Sequence, residues 1–115
     1  MTAHTAASLR AQDCRSLNAV EKLSDGLVDQ TLAGLPGWTR TGGELQKTFK
    51  FPDYYRTIAF VNAMAWIANQ QDHHPDLGVH YNRCVVTFST HDAGGITLKD
   101  LILAARVDAL ESGAV

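Results

Sequence analysis

The spacing of apolar residues changes character several times along the chain, and each change predicts an element. Residues 1 to about 13 are small and polar without period, which predicts a disordered N-terminal end before a single domain over 14–115. From Leu23, the residues Leu23, Leu27, Leu32 and Leu35 keep approximate helical spacing. Ser24 or Asp25 can cap this helix and Pro36-Gly37 can stop it, so it should end near Leu35. Trp38-Thr39-Arg40 then runs into a Thr41-Gly42-Gly43 turn signal, after which Leu45, Lys47, Phe49 and Phe51 alternate with Gln46, Thr48 and Lys50. That pattern predicts a hairpin with one half-buried face.

Tyr54 to Gln71 returns to helical spacing, with Ile58, Val61, Met64, Ala65 and Ala68 along one stripe flanked by Phe60 and Ile67. Pro75 disfavours helical backbone at His74, so this long helix should finish near Asp72 or His73. Val79 to Thr90 alternates again, with Cys84, Val86 and Phe88 opposite Arg83, Val85 and Thr87, and predicts one strand long enough to bend. His91-Asp92-Ala93-Gly94-Gly95 reads as a turn. Thr97, with Asp100 in the box position, opens a last helix whose apolar face is Leu98, Leu101, Ile102, Ala105 and Ala109. The order helix, two strands, helix, strand, helix fits an antiparallel sheet covered on one face by helices.

Composition narrows the class. The 115 residues are 45% hydrophobic and 19% charged with a formal charge of -2, as in an ordinary globular domain. A chain of this length buries roughly two-thirds of its unfolded surface without staples. No basic block points to nucleic acid, and no apolar run approaches the roughly 18 residues of a membrane span. Cys14 and Cys84 lie far apart and predict neither a disulfide framework nor a thiolate metal site, which suits a reducing, cytoplasmic compartment.

The five histidines are unevenly placed, four of them between residues 73 and 91. His4 and His80 read as solvated polar residues. His73 closes the long helix, where the negative end of the macrodipole favours a cation. Asn69, four residues earlier, can hydrogen-bond its ring without neutralising it, so the expected orienting partner is polar and uncharged. A zinc site is the rival use of these residues, but adjacent His73 and His74 suit one ion poorly and no His-Glu-x-x-His helix is present. Acid and base chemistry by imidazole is the better reading. Trp38, Trp66, Tyr54, Tyr55 and Tyr81 offer stacking planes for a flat ligand, with Trp66 most simply core or interface.

Taken in order, Leu35-Pro36-Gly37-Trp38, Phe49-Lys50-Phe51-Pro52-Asp53-Tyr54, Asp72-His73-His74-Pro75, Tyr81-Asn82, Ser89-Thr90-His91-Asp92 and Thr97-x-x-Asp100 resemble the pterin-4a-carbinolamine dehydratases over nearly all of residues 23 to 110. The resemblance implies an α+β fold, an antiparallel four-stranded sheet with three helices packed on one face, with Trp38 beginning the first strand. It implies dehydration of 4a-hydroxytetrahydropterin to quinonoid dihydropterin, which recycles the cofactor of aromatic amino-acid hydroxylases such as phenylalanine hydroxylase. The active form would be a homodimer or homotetramer. No cofactor is implied, because the pterin is the substrate. By similarity His73 and His91 are the acid catalysts, one for each face of the pterin, and His74 holds the ring. Asp72, Ser89, Thr90 and Asp92 line the same pocket, and Trp38 joins them as a substrate-binding plane.

Three positions depart from the family pattern. Asn69 stands where an acid is common, Leu77 where an aromatic wall is usual, and Lys99 where arginine is frequent. Two further functions fit the same resemblance. One is a non-catalytic module, since the fold also serves as a dimerisation cofactor for a homeodomain transcription factor and in assembling carbon-fixation enzymes. The other is an enzyme for a different pterin, such as one of molybdenum-cofactor metabolism.

Overall fold

The computed structural model describes residues 4–17 and 20–110. Its centre is one four-stranded antiparallel sheet in the order β1-β2-β4-β3, formed by β1 (Thr39–Thr41), β2 (Glu44–Lys50), β3 (Asp76–Val79) and β4 (Arg83–Phe88). Gly42, at φ +59°, reverses the chain between β1 and β2 as the turn signal requires. The central pairing of β2 with β4 sets Leu45 opposite Phe88 and Phe49 opposite Cys84. Those four side chains and Val86 are buried, whereas Gln46, Thr48 and Lys50 on alternate positions of β2 are exposed. One face of the sheet is therefore core and the other is largely wet.

The helices α2 (Asp25–Leu32), α3 (Tyr54–Gln71) and α4 (Leu98–Ala109) complete the α+β fold. Ser24 caps α2 by accepting the Leu27 N–H, and Asp53 caps α3 by accepting the Arg56 N–H. On α3 the buried residues are Thr57, Phe60, Met64, Ala68 and Gln71. The apolar stripe is thus rotated from the predicted one. Phe60 moves from flank to centre because Phe49 and Phe51 meet it at centroid distances of 4.7 and 5.0 Å. Ala65 turns outward, and Trp66 is 66% exposed rather than core.

Two further expectations are corrected. Val79 to Thr90 is not one strand: the chain turns between β3 and β4, with the His80 N–H donated to the Arg83 carbonyl. Continuous alternation with no glycine or proline at residues 79–83 hid that hairpin. The N-terminal stretch is ordered in part, because α1 (Ala6–Arg10) buries Leu9 completely and packs on α4. That contact explains why α4 is buried nearly all round, at Leu101, Ile102, Leu103, Ala104, Ala105 and Val107, beyond the single face predicted. Arg106 reaches back to the Gln12 carbonyl at 2.6 Å and fastens the two segments. No helix among the described residues is long and apolar enough to cross a membrane.

Candidate active site

Helix α3 ends abruptly. Asp72 adopts left-handed backbone, φ 52° and ψ 42°, the one non-glycine residue among those described to do so. Its N–H bonds the Asn69 carbonyl at 3.2 Å, and the His73 N–H reaches the Ala68 carbonyl at 3.1 Å. This paired closure satisfies carbonyls that the helix leaves open, in a conformation glycine adopts more cheaply. It throws His73 and His74 off the helix end immediately before Pro75 and β3.

The second histidine turn approaches from β4. Thr90 and Gly95 exchange backbone hydrogen bonds of 3.0 and 3.3 Å, pinching His91–Gly94 into a closed loop. Gly94, at φ +77°, makes the reversal. Ser89 ties this end of β4 to the β1–β2 turn by donating its hydroxyl to the Gly43 carbonyl at 2.9 Å. The two turns together line a cleft of about 280 Å³ bounded by Asp72, His73, His74, Ser89, Thr90, His91 and Asp92.

What orients the chemistry is Asp100, in the first turn of α4 and fully buried. Its Oδ1 lies 2.5 Å from His73 Nε2. Its Oδ2 accepts the Thr90 hydroxyl at 2.8 Å and the Thr97 N–H at 2.9 Å. Because Thr90 gives its proton to Asp100, the Thr97 hydroxyl donates to Thr90 across 2.8 Å. With Nε2 committed to a carboxylate, His73 presents Nδ1 as the ring nitrogen available to a ligand. The ring also stacks on Phe88, 6.2 Å between centroids and 12° from parallel.

The orienting partner of His73 is therefore an acidic side chain from α4, not the amide of Asn69 expected from the same helix; Asn69 is exposed. In the sequence Asp100 reads only as the box residue that caps α4. The signal that could have found it is Thr97-x-x-Asp100 following closely on the second histidine turn.

Trp38 does not line the cleft. It is buried beside β1, which starts one residue later at Thr39, and its indole N–H donates to the Asp108 carboxylate at 3.0 and 3.1 Å. Its ring meets Phe88 at 5.9 Å, a layer behind the histidine. Leu77, on β3, is 38% exposed and also outside the cleft, so the missing aromatic there removes no wall. Tyr54 and Tyr81 stack on each other, 6.2 Å apart, away from the histidines.

Beneath the His73 turn lies Cys14. Its N–H donates to the buried Gln71 Oε1 at 2.8 Å, and burial pushes its thiol up to about 11. Burial also raises the Cys84 thiol.

The family model described as pterin 4 alpha carbinolamine dehydratase matches residues 21–110. The chain belongs to that family. A Chromobacterium violaceum protein, provisionally named a pterin-4-alpha-carbinolamine dehydratase, is 58% identical over 97 residues, covering 84% of this chain and 90% of its own. A similarly named Stenotrophomonas maltophilia protein is 55% identical over 91 residues, covering 77% and 78%. Among solved structures, a transcriptional coactivator/pterin dehydratase from Brucella melitensis superposes with a TM-score of 0.75 at 30% identity, over 78% of this chain and 98% of that one. A pterin dehydratase-like protein identified as a RuBisCO assembly factor superposes with a TM-score of 0.53 at 28% identity, over 64% and 84%. The histidine cleft lies within the region that the family model matches.

Proposed function

We propose that this cleft dehydrates a 4a-hydroxytetrahydropterin. The observation that carries the reading is the meeting of two independent histidine turns over one cleft, with His73 oriented by a buried carboxylate. In the reaction the C4a–O bond breaks as the oxygen takes a proton and leaves as water. N5 gives up its proton, and the electron pair completes the double bond to C4a in the quinonoid dihydropterin. Both proton movements suit imidazoles held against the ring. His73 serves through Nδ1 and His91 from the opposite turn, while His74 holds the pterin and Asp72, Ser89, Thr90 and Asp92 surround it. No resident cofactor takes part. The resemblance supports a cytoplasmic homodimer or homotetramer working beside an aromatic amino-acid hydroxylase.

The test follows freshly generated 4a-hydroxytetrahydropterin by ultraviolet absorbance with wild type, His73→Ala and His91→Ala. Wild type accelerates the reaction, and each variant loses about a hundredfold or more. A wild type that leaves the spontaneous rate unchanged would sink the proposal.

A second reading, assembly rather than catalysis, draws on the likeness to the RuBisCO assembly factor and on the exposed Trp66 and Tyr55. It predicts no acceleration, together with a partner whose binding survives loss of the histidines.

A further inference from the structure

A second, smaller cleft of about 190 Å³ adjoins the histidine cleft and shares Asp72 with it as a common wall. Its remaining lining is Cys14, Arg15, Leu17, Gln71 and Lys99. Two of these are cations. Among the described residues neither the Arg15 guanidinium nor the Lys99 ammonium has a carboxylate within ion-pair distance. Asp72 carries the one acidic side chain of the lining, so the three charged groups sum to +1 (two positive, one negative) in a chain whose formal charge is -2.

The backbone that carries Arg15 is held in place, while its side chain is exposed and Lys99 is half-buried. Arg15 lies in a short 3-10 turn, Cys14–Ser16, whose position is fixed from several directions. Asp13 accepts the Arg15 N–H at 2.9 Å, Cys14 N–H is bonded to Gln71 at 2.8 Å, and the Cys14 thiol faces the Lys99 carbonyl at 3.7 Å. Arg15 Nη1 touches the Gln70 carbonyl at 3.4 Å, which leaves most of its fork for other acceptors. Lys99 sits beside Asp100, the residue that orients His73.

We infer that this cleft is the subsite for an anionic group, a phosphate ester or carboxylate, at the far end of the substrate's side chain. The inference rests on the pterin reading of the neighbouring cleft. With the pterin ring among the histidines, a side chain directed past Asp72 ends between Arg15 and Lys99. A planar guanidinium and a point-charge ammonium lining one small cleft match such an anion.

The test is calorimetric titration with stable dihydropterins that share one ring and differ in the side chain: neutral hydroxymethyl, its phosphate ester, and a carboxylate. An anionic compound should bind about fivefold tighter than the neutral one at low salt. That advantage should vanish in Arg15→Gln and Lys99→Gln and at about 1 M salt, where the screening length falls to ~3 Å. Affinity for the neutral compound should stay unchanged in Arg15→Gln. Equal binding of all three, or an advantage that survives both substitutions, overturns the inference while leaving the pterin reading intact. If none of the three binds, the pterin reading fails, and inorganic phosphate is titrated alone with amide spectra as the readout. Shifts confined to residues 14–17 and 98–100 and lost in Arg15→Gln then support the anion site, and their absence overturns it.

Discussion

His73 and His91 border one cleft on opposite terms. The His73 side chain is 12% exposed, bonded to Asp100 and backed by Phe88. The His91 ring is exposed in a short turn and makes no hydrogen bond among the described residues. A locked ring and an adaptable ring suit different moments of a dehydration. On the dehydration proposed above, the locked ring presents Nδ1 in one place and the exposed ring is free to follow the departing oxygen. The difference also separates the energetic roles of the two residues, since truncating a held ring strands its partner and truncating a free one strands nothing.

The sharpest way to break this comparison is His73→Ala against His91→Ala in denaturant unfolding. Removing the His73 ring leaves Asp100 Oδ1 buried without its partner, while Thr90 and Thr97 still serve Oδ2, at a cost of about 3 kcal/mol. His91→Ala should stay within ~0.5 kcal/mol of wild type, as surface substitutions do. Equal losses would show that the second turn is also held. Asp100→Asn should cost less, about 1–3 kcal/mol, because the amide keeps the shape but cannot accept at both positions. Its dehydration rate should fall while His91-dependent effects persist, which a double-mutant comparison would read.

Asp72 offers a smaller adjustment. Relieving its left-handed backbone with Asp72→Gly should stabilise the fold by about 0.5–1 kcal/mol, and Asp72→Val should lose ~1–2 kcal/mol, both readable as shifts in thermal midpoint. The least effect concerns Cys14, which reports whether the His73 turn is closed. Its raised thiol should react slowly with alkylating reagents near pH 8 in wild type and faster in His73→Ala. The sign follows from linkage. The neutral thiol is favoured in the folded state, so its contribution is intact below pH 9.0 and is lost as pH rises toward about 11. Constant stability through that window would contradict the burial.

The parts of the fold that could be read from the chain are those with local punctuation. Pro75 marked the end of α3, Thr41-Gly42-Gly43 marked the first hairpin, and Thr97 marked the start of α4. The β3–β4 hairpin carried no such mark at His80-Tyr81-Asn82, and α1 offered a single apolar anchor, Leu9, too little for a period. For the site, both histidine turns and their polar neighbours were visible as motifs. Trp38 lies behind the cleft rather than in its lining, a difference the sequence could not show because an aromatic beside a glycine reads the same whether it faces a ligand or the core. The Asp100 contact was invisible because 27 residues separate it from His73, and its capping role already accounted for it.

That double employment of Asp100 has an evolutionary consequence. The same carboxylate caps α4 through Thr97 and anchors the imidazole, so a relative without pterin chemistry would still keep an acid there to start its helix. An aspartate at this position is thus a poor witness to activity across relatives. The exposed histidine, on which no packing in the fold depends, is the better one.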